Sequence, residues 1–139
     1  MTIHVLCGIP GSGKTTLSKQ LELECNAVLY CYDKFPRAHW DKESREKMHK
    51  QMANDVRCGK SAICDDLNIA KSDRISILKA LHDIECKKIL HVMTTPPDLC
   101  VERVREREQW KVPACVVLHC LNYYEIPSLD EGWDEIIYH

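Results

Sequence analysis

Gly8-Ile9-Pro10-Gly11-Ser12-Gly13-Lys14-Thr15 is the stretch on which the reading of this sequence turns. It satisfies the pattern G-x-x-x-x-G-K-[ST] at every fixed position. Ahead of it, residues 3–7 form a short apolar run closed by Gly8 and Pro10, which reads as a buried strand. Behind it, Leu17 and Leu21 fall one helical turn apart. Strand, glycine-rich turn and helix are the setting in which this motif cradles phosphate. Glycines let successive backbone N–H groups face the oxygens, and the helix adds its positive end. Gly8, Gly11, Ser12, Gly13, Lys14, Thr15 and Thr16 are therefore expected to hold ATP. Lys14 would neutralise the β- and γ-oxygens, Thr15 would take one position on Mg²⁺, and Thr16 would reach the α-phosphate.

Further along, residues 27–32 read as a second strand and Pro36 as a break. A polar helix is expected over 41–58, where Met48, Met52 and Val56 recur at i+4, with Gly59 as its stop. Residues 61–64 form a third strand running into Asp65 and Asp66. A helix is expected over 72–84 and a fourth strand over 88–93. Pro96 and Pro97 open a helix through Arg103 and Arg107, which Val112-Pro113 interrupts. A last helix over 114–124 and a short apolar ending, 135–138, complete the pattern. Strands alternating with helices predict a P-loop NTPase fold of the α/β class: a mostly parallel sheet of four to five strands, helices on both faces, and a short arginine-bearing lid. One domain spanning 1–139 is expected.

Composition limits the function classes. A formal charge of −2 over 139 residues argues against a whole-surface grip on nucleic acid, so any polynucleotide contact is expected to be local. Nine cysteines, an odd number without a C-x-x-C pair, read as reduced thiols of a cytoplasmic protein, most of them, such as Cys7, Cys64 and Cys100, packed as small hydrophobes. The set Cys115, His119, Cys120 lacks a second pair at zinc-ligand spacing. No apolar stretch approaches the ~20 residues that span a bilayer, so no membrane partner is expected.

Phosphoryl transfer needs charge around the γ-phosphate and a group that orients the nucleophile. Asp33 follows the second strand at the carboxyl edge, where its carboxylate could take a proton from an incoming hydroxyl or, more simply, cap a turn. Arg37 could hold that carboxylate or a substrate phosphate. Asp65, Asp66 and Asn68, at the end of the third strand, could contact metal and substrate or form a turn. Arg103 and Arg107, four apart on one expected helix, could both face a polyphosphate, although Glu102, Glu106 and Glu108 could pair with them instead.

With these residues in view the chain resembles the P-loop polynucleotide 5′-hydroxyl kinases of the phage type and their single-domain relatives, over nearly its whole length. The resemblance rests on the 8–16 loop, Asp33, the 65–68 element, the arginine-bearing lid before Val112-Pro113, and a tail holding Pro127, Glu131 and Gly132. It implies that Asp33 is the general base for a 5′-hydroxyl and that Arg103 and Arg107 contact ATP phosphates. The family carries an arginine three residues after its base, whereas here Pro36 stands there and the arginine is Arg37.

The expected activity is thus Mg²⁺-dependent transfer of the γ-phosphoryl group of ATP to a hydroxyl, with a polynucleotide 5′ end as acceptor. Two alternatives stay open: a kinase of a modified base in DNA, a nucleoside or another small hydroxyl metabolite, and a nucleotide switch that transfers nothing.

Overall fold

The computed structural model describes all residues except Asp33, Trp40 and 109–111, with His39 described by its backbone alone. Five strands, β1 (Thr2–Cys7), β2 (Val28–Cys31), β3 (Ala62–Asp65), β4 (Lys87–Val92) and β5 (Glu135–Tyr138), lie in the order β2-β3-β1-β4-β5. All four pairings are parallel. The helices are α1 (Lys14–Cys25), α2 (Lys42–Arg57), α3 (Lys71–Ala80), α4 (Pro97–Glu106) and α5 (Ala114–Leu121). Short 3-10 turns occupy Pro36–His39 and Leu129–Glu131.

Because side chains alternate along a strand, each strand feeds two cores. Ile3, Val5, Cys7, Ala62 and Cys64 pack with Met48, Met52, Val56 and Ile77 under α2 and α3. Leu6 and Ile63 pack with Leu17, Leu21, Ala27 and Leu29 under α1. The fold is the expected one, a parallel sheet with helices on both faces.

Three helix ends differ from the periodicity. Helix α3 stops at Ala80, yet Leu81 and Ile84 are buried from the turn that follows. Helix α5 stops at Leu121, where Asn122 and Tyr123 bond three residues back rather than four. Helix α4 ends at Glu106 and Arg107 turns extended (φ −65°, ψ 130°), so Arg103 and Arg107 do not share one helix face as the spacing implied. Four cysteines, Cys7, Cys64, Cys100 and Cys120, are buried, two are half-buried, and Cys25, Cys58 and Cys115 are exposed. No helix among the described residues is long and apolar enough to cross a membrane.

A buried cation ties the carboxyl edge together. Arg74 on α3 is fully buried; it donates to both oxygens of Glu131 at 2.8 and 2.7 Å and to the carbonyls of Asn68, Ile69 and Glu125. Trp133 Nε1 adds a bond of 2.9 Å to Glu131. The segment after β3 and the segment before β5 are thereby held by one guanidinium. On the α1 side of the sheet, three imidazoles, from β1, from β4 and from the residue that follows β5, form a row. His4 Nδ1 lies 3.0 Å from His91 Nε2, and His91 Nδ1 lies 2.9 Å from His139 Nε2.

Candidate active site

The glycine-rich loop leaves β1 and enters α1 at Lys14. Gly8 N donates to Leu67 O and Met93 N donates to Cys7 O, both at 2.9 Å, which anchors the loop between β3 and β4. Glycine is required at two points. Gly11 has φ +82° and a Cβ there would come within 2.5 Å of Cys100 O. Gly13, at the N-cap of α1, has φ +96°. With no side chain capping α1 and no acid in its first turn, the leading N–H groups remain available to an anion.

Helix α1 turns Lys14, Ser18 and Leu21 inward at spacings of four and three. Two of these three are polar because that part of the face meets Asp65. Ser18 Oγ donates to Asp65 Oδ2 at 2.8 Å. Lys14 Nζ donates to Ile9 O at 2.9 Å. Burial pushes Lys14 below its ordinary value, while the carboxylates of Asp65 and Asp66 favour its charge. Burial pushes Asp66 up, opposed by hydrogen bonds from Tyr32 and the Leu67 amide and by the Arg45 guanidinium.

Strand order separates the surroundings of the loop into two clefts. On the β4 and β5 side, about 530 Å³ is lined by Ser12, Gln20, Met93, Arg103 and His139. On the β2 and β3 side, about 350 Å³ is lined by Lys14, Thr15, Cys31, Tyr32, Asp65 and Asp66. Gly11, Gly13, Thr16 and Arg107 border both. Arg103 Nη1 donates to Gly11 O at 3.4 Å, which ties α4 to the loop.

The structure therefore brings together Gly11, Gly13, Lys14, Thr15, Thr16, Asp65, Asp66 and Arg107, with Ser12 and Arg103 on the β4 side. Gly8 is buried at the loop's base. Asn68 is buried and adopts φ +48°, with its Nδ2 donating to Leu6 O at 2.8 Å, so this side chain fastens the β3 loop to β1 and lines neither cleft. Arg37 is exposed on the 3-10 turn, also outside both clefts. Asp33 lies outside the described residues.

For Mg²⁺, the exposed Thr15 and the buried Asp65 and Asp66 at one cleft fit an ion that uses few protein ligands and takes the rest from phosphate and water. No cluster of three acidic, histidine or cysteine residues suited to a resident metal occurs among the described residues. Sequence reasoning missed Ser18, Tyr32 and Arg45. The signal for Ser18 was available, since a polar residue interrupts the inward stripe of α1.

No curated protein matches the sequence. Among solved structures, a gluconokinase from Sinorhizobium meliloti 1021 superposes with a TM-score of 0.70 at 14% identity, over 99% of this chain and 81% of that one. A fungal RNA kinase gives 0.74 at 18%, over 99% and 74%. Kti12 from Chaetomium thermophilum, in complex with ADP-AlF3, gives 0.74 at 17%, over 99% and 88%. These likenesses establish a P-loop kinase-like fold. A family match spans residues 3–127, and the chain belongs to that AAA domain family, AAA_33.

Proposed function

We propose that the protein is an ATP-dependent phosphotransferase that moves the γ-phosphoryl group to a hydroxyl, with a polynucleotide 5′ end as acceptor. The observation that carries this reading is the pair of clefts meeting at one phosphate loop, with Arg107 bordering both. A switch needs one nucleotide cleft; a transferase needs two substrates converging on the γ-phosphate. The β4-side cleft, with Arg103, suits the nucleotide, and the β2-side cleft suits the acceptor.

In this reading the backbone N–H groups of 11–16 and Lys14 bind the polyphosphate. Arg103 and Arg107 offset charge on the transferring group; Thr15 with Asp65 and Asp66 would hold Mg²⁺, which would supply Lewis-acid stabilisation of the phosphate charge. Asp33 removes the proton from the acceptor hydroxyl; its neighbour in sequence, Tyr32, lines the acceptor cleft. The polynucleotide assignment is supported by the motif set of the phage-type kinases and by the fold shared with a fungal RNA kinase. A second reading, a small hydroxyl metabolite as acceptor, is favoured by the modest acceptor-side cleft and by the fold shared with a gluconokinase.

The test is transfer from labelled ATP to a panel of 5′-hydroxyl DNA and RNA strands, nucleosides and sugars, with Asp33→Asn as control. Transfer to strand ends, lowered at least ~100-fold in the variant at unchanged ATP affinity, is the expected result. Transfer only to small molecules moves the assignment to the second reading. Nucleotide binding without transfer to any hydroxyl abolishes both.

A further inference from the structure

One groove belongs to neither cleft. It runs between α2 and α3 and encloses about 650 Å³. Lys42, Arg45, Lys50 and Lys79 line it against only two acids, Glu46 and Asp73, in a chain whose net charge is negative. Both acids already face cations: Glu46 lies 3.9 Å from Lys42, and Asp73 lies 3.8 Å from Arg45. No carboxylate of the described residues lies within ion-pair distance of Lys50 or Lys79, which are exposed. The groove thus presents uncompensated positive charge, a complement for a polyanion.

Its polar wall suits phosphate oxygens. Ser72 and Ser76 contribute hydroxyls. His49 is buried, and its Nε2 has no hydrogen-bond partner among the described residues. Ser76 Oγ lies 3.4 Å from His49 Nδ1. Burial, with the nearby Arg45 guanidinium, pushes His49 down to about 4, so the ring behind this wall is neutral and adds no charge to it.

One residue of the groove wall, Arg45, couples it to the acceptor side. Helices α2 and α3 both start at the carboxyl edge of the sheet, following β2 and β3. Arg45, in the groove wall, acts electrostatically on Tyr32 and Asp66, which line the acceptor cleft. From Lys42 to Lys50 the track follows α2 for about 12 Å, enough to meet more than one phosphate of an extended strand.

We propose that the groove between α2 and α3 seats the sugar–phosphate backbone of a single-stranded polynucleotide on the 3′ side of the hydroxyl presented at the acceptor cleft. The inference rests on the polynucleotide reading of the acceptor above. It explains how a chain of net negative charge grips a strand: through a short basic track rather than its whole surface.

The test uses the exposed pair Lys50→Glu/Lys79→Glu and two readouts. The first is fluorescence anisotropy of a labelled single strand of about 12 nucleotides bearing a 5′-hydroxyl, without ATP. The second is the ratio of kcat/KM for that strand to kcat/KM for a dinucleotide. The double variant, with an unchanged thermal midpoint, is expected to bind the strand at least ~10-fold more weakly. Its log–log salt slope should be shallower by about 1.4, since each lost single-strand phosphate contact removes about 0.7. The kcat/KM ratio should fall by a similar factor. Equal affinity in protein and variant, while strand ends are still phosphorylated, overturns the groove and spares the kinase reading. Failure of the unaltered protein to bind the strand overturns the groove as well, and transfer to small hydroxyls alone then removes the polynucleotide reading too. Groove-dependent binding without transfer upholds the track and removes the kinase reading.

Discussion

The Ser18 hydroxyl lies 2.8 Å from Asp65 Oδ2 and 3.0 Å from Thr15 O, so its single hydrogen is shared between the carboxylate of β3 and the first turn of α1. Thr15 and Asp65, both proposed for Mg²⁺, are thus tied together by one hydroxyl. Ser18→Ala leaves a buried carboxylate short of a donor and is expected to cost about 1–3 kcal/mol of stability. It should also raise the Mg²⁺ concentration needed for half-maximal transfer by about tenfold. Thermal melting with a Mg²⁺ titration checks both. An unchanged Mg²⁺ requirement would leave Asp65 a purely structural acid.

Lys14 is expected to behave in the opposite way. It is buried, its ammonium is disfavoured by desolvation, and it donates to the Ile9 carbonyl. Lys14→Ala should therefore leave the melting temperature level or slightly higher while transfer falls at least ~100-fold. Calorimetric titration with ATP and a melting curve separate the two effects, and undiminished turnover would contradict the site assignment.

Arg74 and Glu131 test the frame beneath the site. Removing the guanidinium by Arg74→Met strands a buried carboxylate and three carbonyls, so a loss of about 3–5 kcal/mol is expected. The double variant Arg74→Met/Glu131→Met should recover part of that loss, because no buried charge then lacks its partner. Denaturant unfolding of the three proteins checks this. A double variant no more stable than Arg74→Met would locate the stabilisation in the carbonyl bonds alone.

Acid should weaken the fold through its buried histidines. Burial pushes His91 and His49 down to about 4 and also lowers His4. Their folded values lie below the ~6.5 of an unfolded chain, so the unfolded state binds more protons. This contribution is fully present above pH ~6.5 and is lost as pH falls toward ~4. Asp66, raised by burial, acts in the opposite sense, so the comparison is made against His91→Gln rather than on the total curve. Between those limits the variant's unfolding free energy should depend on pH less steeply, by about 1.4 kcal/mol per unit. Parallel curves would mean that His91 titrates alike in both states.

The sheet and the phosphate loop were legible because each rests on local pattern. A run such as residues 3–7 alternates between two cores, and the 8–15 motif needs its glycines where the chain turns. Helix ends were less legible, since Leu81 and Ile84 continue the apolar rhythm of α3 from a turn and still enter the core. Asn68 reads as a ligand by its place after β3, but its amide is committed to Leu6 O, a partner sixty-two residues away. The Arg74 cluster and the α2–α3 groove join segments that periodicity treats separately, so no local window contains them.

The row of His4, His91 and His139 has its own consequence. Each contact needs one hydrogen, and each neutral ring carries one. Only two arrangements satisfy both contacts: all three hydrogens on Nδ1, or all three on Nε2. The rings stack at 5.2 and 5.1 Å, so the row joins the β4-side cleft, where His139 sits, to the strand that feeds the phosphate loop. Three separate side chains are thus reduced to a single binary element, in which fixing the tautomer at one end fixes it at the other.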